Sequence, residues 1–166
     1  MVDLLVTYLH MTEPPRGAPI LTPDLGTSIT REMPCAEAYL PLYRAVGDHV
    51  KWDHRLRMSR DELTQFLNAA STHVYVLRRN NEAVGLCEFE GVGRPDIELV
   101  HFGVVPAIQG RGLGRYLLDR ALRAVWSYGP RRIWLHTDTN DHRNALATYM
   151  RAGFEMYRRQ VETFPD

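Results

Sequence analysis

Cysteine is scarce in this chain. Of 166 residues only Cys35 and Cys87 are cysteine, and they form no CxxC pair. That argues against a disulfide scaffold and for a cytoplasmic setting. Lysine is scarcer still: Lys51 stands alone and the other nineteen basic residues are arginine. A bias of base composition accounts for this first, a preference for bidentate anion contacts second. Net charge is absent, with 20 basic against 20 acidic residues. A dedicated nucleic-acid binder would carry a basic excess, so no nucleic-acid partner is expected. No apolar run approaches the roughly 18 residues of a membrane span, so no membrane partner is expected either. The start, MVDLLVTYLH, has no basic stretch before its apolar run and no small-residue cleavage site, and reads as a strand rather than a signal peptide. Internal repeats, low-complexity tracts and linkers are missing too. What remains is one domain, residues 1–166, 45% hydrophobic and large enough to bury a core.

The first strand is expected over Val2 to His10, broken by Pro14, Pro15, Pro19 and Pro23. A helix is expected from Pro34 to about Val46, stopped by Gly47 and kinked or split at Pro41. Ser59 and Glu62 have the spacing of a capping box for a helix to about Ala70. Three strands follow, Thr72 to Arg79, Ala83 to Glu90 and Ile97 to Val105, the first two joined by an Asn80-Asn81 turn. From Leu113 to Tyr128, Leu113, Leu117, Ala121 and Val125 line one helical face, while Arg115, Asp119 and Arg123 pair along the opposite surface. A strand over Arg131 to Thr137, a helix from His142 to Arg151 and a strand from Phe154 to Val161 complete a mixed α/β order.

The stretch QGRGLG, Gln109 to Gly114, precedes the long helix. A glycine in a first helical turn weakens it by roughly 1 kcal/mol relative to alanine. Strand, turn, glycine loop and helix together make a phosphate-binding arrangement, because free N–H groups and the helix dipole point at an anion. The dinucleotide fingerprint fails, since Arg115 stands where its third glycine belongs, and the Gly-Lys-Ser/Thr ending of a P-loop is absent. A glycine turn packed closely on a neighbouring strand is the competing reading.

Val104-Val105-Pro106 followed by Gln109, Gly112 and Gly114 resembles the signature of the GCN5-related N-acetyltransferase (GNAT) superfamily. Asn144-Ala145, Tyr149 and Gly153-Phe154 resemble its second motif. The two span Ile97 to Phe154, and Trp52 to Leu56 (WDHRL) adds a resemblance to a bacterial subgroup. The resemblance implies a mixed, mostly antiparallel central sheet of about six or seven strands flanked by about four helices. It implies acetyl-coenzyme A as cofactor, its pyrophosphate held by the backbone of Gln109, Gly110, Arg111, Gly112, Leu113 and Gly114. Arg111 and Arg115 would add charge, the latter being equally placed as a surface residue. Phe102, Gly103 and Val104 would pair with the pantetheine arm, and Asn144 would contact the cofactor. Two copies would pair through the last strand.

Acetyl transfer to an amine needs a base for the amine, a donor for the oxyanion and a proton for the leaving thiolate. By the resemblance, Val104 N–H is the oxyanion donor and Tyr149 the acid. Glu98 is the first choice of base, because it interrupts an apolar strand and a buried carboxylate must be paired or shift its pKa. His101 is its rival, placed on the opposite face by strict alternation unless a bulge near Phe102-Gly103 intervenes. Trp52, Arg55 and Arg57 are expected at the acceptor wall, with an arginine clamping a carboxylate. Glu88, with Glu90, is expected to hold a cationic substrate or stay solvated. Asp138, Asp141, His136 and His142 lack the register of a metal site, and no metal is expected. The leading function is acetyl transfer to a primary amine of a small molecule by direct attack in a ternary complex. The alternatives are a protein or peptide acceptor, a coenzyme A sensor without turnover, and a plain α/β protein.

Overall fold

The computed structural model describes residues 1–166. Its strands and helices run in the order β1 (Val2–Met11), β2 (Thr27–Glu32), α1 (Ala36–Gly47), α2 (Arg60–Asn68), β3 (His73–Arg79), β4 (Glu82–Glu90), β5 (Asp96–Val104), α3 (Leu113–Trp126), β6 (Arg132–Asp138), α4 (Ala145–Ala152) and β7 (Glu155–Phe164). Single helical turns at Asp48–Val50 and Arg55–Arg57 fill the passage from α1 to α2. The strands form one seven-stranded sheet in the order β2-β3-β4-β5-β6-β1-β7. Every neighbouring pair is antiparallel except β5 and β6. No helix is long and apolar enough to cross a membrane.

Local chemistry sets several element ends. The Ser59 side chain accepts from Glu62 N–H at 3.1 Å, capping α2. Asn80 and Asn81 take positive φ, as a two-residue hairpin turn between β3 and β4 requires. Of the kink or split expected at Pro41, the split does not occur: α1 is continuous through it, and Pro41 is exposed, so the carbonyl it leaves unpaired faces water. Strand β2, absent from the sequence reading, pairs on the edge with β3.

Each face of the sheet carries a core. Tyr39, Tyr43 and Val46 of α1 and Leu63 and Leu67 of α2 cover Val74, Val76 and Leu86. Leu117, Leu118, Leu122 and Val125 of α3 cover Phe89, Ile97 and Leu99 on the other face. Each such buried side chain contributes about 1.5–3 kcal/mol. The polar side of α3 is not a free surface. The β1–β2 connection crosses it, with Ile20 N–H donating to Asp119 at 3.0 Å and Arg123 donating to the carbonyls of Arg16, Gly17 and Ala18.

Two irregularities open the sheet. Strands β5 and β6 pair only at Asp96/Arg132, Ile97/Ile133 and Glu98/Trp134, and part beyond. Across β4 and β5 the register slips between Glu88/His101 and Phe89/Leu99, leaving Val100 as a bulge.

Candidate active site

The parted strands form one wall of a cleft of about 910 Å3. Its floor is β5. Val105 N–H donates to Val84 C=O at 2.8 Å, so Val84 and Val105 are a hydrogen-bonded pair. Alternation along the ladder then turns the polar groups of Phe102 and Val104 away from β4, toward the gap. Gln109 confirms this for one of them, since its side-chain amide donates to Val104 C=O at 3.4 Å. Gly103 faces α1; a Cβ there would stand 2.7 Å from Val46.

The glycine loop closes one end. Gly110 and Gly112 both have φ of +80°, and Gly112 caps α3. Nothing lies within 4 Å of a Cβ built at Gly110, and only Pro23 near 4 Å at Gly112. Packing therefore does not explain these glycines; positive φ and bare backbone do. No backbone N–H from Gly110 to Arg115 donates within the protein, the first helical bond being Tyr116 N–H to Gly112 C=O. Gly110, Gly112, Gly114 and Arg115 line the cleft, whereas Arg111 lies outside it and the Leu113 side chain is buried in the core. Those two belong to the loop through their backbone alone.

At the far end, Asn144 opens α4 with its side-chain amide free of any protein partner and faces the cleft. One turn on, Tyr149 is 7% exposed, packed beside Phe102 and Phe154, and its hydroxyl makes no protein hydrogen bond. Burial, then the nearby Asp141 carboxyl, push its pKa well above 10, so it keeps its proton. Asp141 is itself held by the Thr137 hydroxyl and by Asp138 N–H at 3.2 Å.

The bulge at Val100 decides the acid–base face. Glu88, Glu90, Glu98 and His101 all face α1, because the extra residue cancels the alternation that would separate Glu98 from His101. The expected separation of His101 from Glu98 by strict alternation therefore fails, through a bulge that lies before His101 rather than at Phe102-Gly103. Glu98 accepts no hydrogen bond from the protein; His136 Nε2 stands 3.9 Å away. Burial, then the opposing Glu90 carboxylate, raise the Glu98 pKa to about 7. His101 is committed on both nitrogens, Nδ1 to Glu88 at 3.0 Å and Nε2 to the Tyr43 hydroxyl at 3.4 Å.

Arg55 and Glu88 are not at the acceptor wall. Arg55 is 2% exposed and Glu88 fully buried, joined at 2.8 Å. The Tyr39 hydroxyl donates to the other Glu88 oxygen. Burial alone would raise the Glu88 pKa, but His101, Arg55 and Tyr39 outweigh it and hold the carboxyl well below its ordinary range. This buried network is satisfied at nearly every atom, which is why charges enter the core here. Arg57 does line the cleft, tied to Asp53 at 2.6 Å and half-exposed. Trp52 also lines it, leaning on His101 at 4.8 Å between ring centres. Gly47 makes room for that indole, as a Cβ there would meet it at 2.3 Å. The sequence reading weighed His136 only as a metal ligand, not as a neighbour of Glu98, and missed the Tyr39/Tyr43 pair; the i, i+4 spacing of the tyrosines beside Val46 was the available signal.

Residues 35–154 match the acetyltransferase (GNAT) family, covering both the glycine loop and the Asn144–Tyr149 helix. The chain belongs to that family. A stretch of 65 residues, 39% of the chain, is 42% identical to a mycothiol acetyltransferase of Amycolatopsis mediterranei (strain U-32), of which it covers 21%. A GCN5-related N-acetyltransferase from Sphaerobacter thermophilus shares the fold at TM-score 0.65 and 20% identity, over 95% of this chain and 50% of that one. An aminoglycoside acetyltransferase from an uncultured soil metagenomic sample, solved with trehalose, aligns at TM-score 0.66 and 20% identity, over 86% of this chain and 97% of that one. The GNAT chain described here thus spans about a fifth of the curated relative and half of the Sphaerobacter protein.

Proposed function

We infer that this GNAT domain, read as a single unit over residues 1–166, transfers an acetyl group from acetyl-coenzyme A to a primary amine of a small molecule by direct attack in a ternary complex. The observation that carries this reading is the place of Glu98, a half-buried carboxyl that accepts no hydrogen bond and lines the cleft where β5 and β6 part; burial raises its pKa to about 7. The residues present fit the cofactor. Unpaired N–H groups from Gly110 to Arg115 suit a pyrophosphate, and the outward-facing Phe102 and Val104 suit an extended amide-bearing arm. Asn144 and Arg115 add contacts from either side of the cleft. When bound, the cofactor supplies an acyl thioester.

The chain supplies the rest. An alkyl ammonium at neutral pH must lose a proton before its nitrogen is nucleophilic, and Glu98 titrates in the range where it can take that proton. Val104 N–H faces the gap as a fixed donor for a carbonyl oxygen that gains charge. Tyr149 holds a proton at the cleft wall for a departing sulfur. His101 serves by holding Trp52 and Tyr43 in place rather than as base. Strand β7, at the sheet edge with one side unpaired, supports pairing of two copies.

Tyr149→Phe is expected to lower kcat about a hundredfold while leaving the Kd for acetyl-coenzyme A unchanged. Thiol release against a panel of small primary amines measures the first and calorimetry the second. Tight cofactor binding with no amine-dependent thiol release across the panel would favour a sensor over an enzyme.

A further inference from the structure

Strands β4 and β5 hold two carboxyl groups face to face. Glu90 lies directly opposite Glu98 in the register, and both line the cleft. Like charges so placed destabilise a strand pair, so something must hold them there. Arg55 does so for one only. From beneath the sheet its NH2 reaches Glu88 at 2.8 Å and Glu90 at 3.1 Å, with its guanidinium stacked 3.7 Å over the Phe66 ring. Glu90 is thereby anchored as a carboxylate while 38% of its side chain remains exposed. Glu98, 22% exposed, has no arginine or lysine in contact, only the His136 ring at 3.9 Å. One carboxyl is tethered and the other is left loose.

We propose that Glu90 is a positioning residue: anchored by Arg55 opposite Glu98, it keeps the Glu98 carboxyl basic enough to take a proton from an incoming ammonium. The proposal rests on the reading of Glu98 as the base. In the step itself an N–H bond of the ammonium breaks and an O–H bond forms on Glu98. The electron pair stays on nitrogen, and Glu90 keeps its charge. The groups facing Glu98 are Glu88 and Glu90 from β4, Arg55 from the turn before α2, His136 from β6 and His101 along β5. Of the two carboxylates that strengthen its hold on a proton, only Glu90 lines the cleft. Separation of two carboxyl groups into an anchored anion and a proton acceptor is how one site assigns distinct acid–base roles.

The test is carbon-13 NMR titration of the glutamate carboxyls in the full chain, with Glu98 identified by the signal missing from Glu98→Gln. In Glu90→Gln, Glu98 is expected to titrate lower by roughly one pH unit, and the acid limb of kcat/KM to move with it. Glu90→Asp, which keeps the charge, is expected to restore both toward wild type. Glu98 titrating at the same pH in wild type and Glu90→Gln would overturn the proposal. Activity left intact by Glu98→Gln would instead defeat the base assignment, and the NMR comparison would still decide the effect of Glu90 alone.

Discussion

Glu98→Gln is expected to lower kcat/KM about a thousandfold at pH 8, within the range general-base catalysis supplies. Its pH profile carries the sharper signature. In the wild type the rate rises through about pH 7 as Glu98 loses its proton, and levels off above. In the variant that limb is gone, because no carboxylate forms at that position. Stability should move the opposite way. The Glu98 pKa in the folded protein lies above its ordinary 4.5, so the folded state holds this proton more tightly than the unfolded one. Folding is then unpenalised below pH 4.5 and loses stability as pH rises to about 7. Glutamine carries no such penalty, so the variant should be more stable than wild type at pH 8 by up to about 3 kcal/mol. Denaturant unfolding at pH 4 and pH 8 measures this. An equal effect at both pH values would contradict a raised Glu98 pKa.

The second large effect is on cofactor binding. Gly112→Glu places a carboxylate among the free N–H groups of Gly110 to Arg115. Space exists for it, since the nearest atom to a Cβ at Gly112 is 3.9 Å away. The backbone there has φ of +80°, which costs a non-glycine residue about 1–2 kcal/mol. The variant should therefore fold with modestly reduced stability. Losing two charge-assisted hydrogen bonds, each about 1.5–3 kcal/mol, corresponds to at least about a hundredfold loss of acetyl-coenzyme A affinity. Calorimetry with a folded variant checks it. Undiminished affinity would mean that the loop holds no pyrophosphate.

Several elements with local causes are legible in the sequence, although the expected break at Pro41 is not found. The glycine loop and α3 are legible because positive φ and a 3.6-residue apolar period act within a few residues. So are the Ser59 cap and the Asn80-Asn81 turn. Strand β2 was not, being short, without a single buried residue and preceded by four prolines. Nor was the position of β1 between β6 and β7, which depends on pairing across nearly the whole chain. At the site, Glu98 stands out in sequence as a charge in an apolar strand, and Tyr149 through its place in the second GNAT-like motif. Their relation to His101 does not, because one bulged residue, Val100, reverses the parity of everything after it. Arg55 and Glu88 read in sequence as acceptor-wall residues, because nothing local shows that they pair with each other in the core and that Tyr39 and His101 complete the shell of Glu88.

The most direct test of the site is the backbone amide NMR spectrum of the wild-type chain, with and without acetyl-coenzyme A. The geometry predicts the largest changes at Gly110 to Arg115, followed by Phe102 and Val104. Absence of change there, or changes confined to the hollow between α3, α4 and the β1–β2 connection, would contradict the placement of the cofactor.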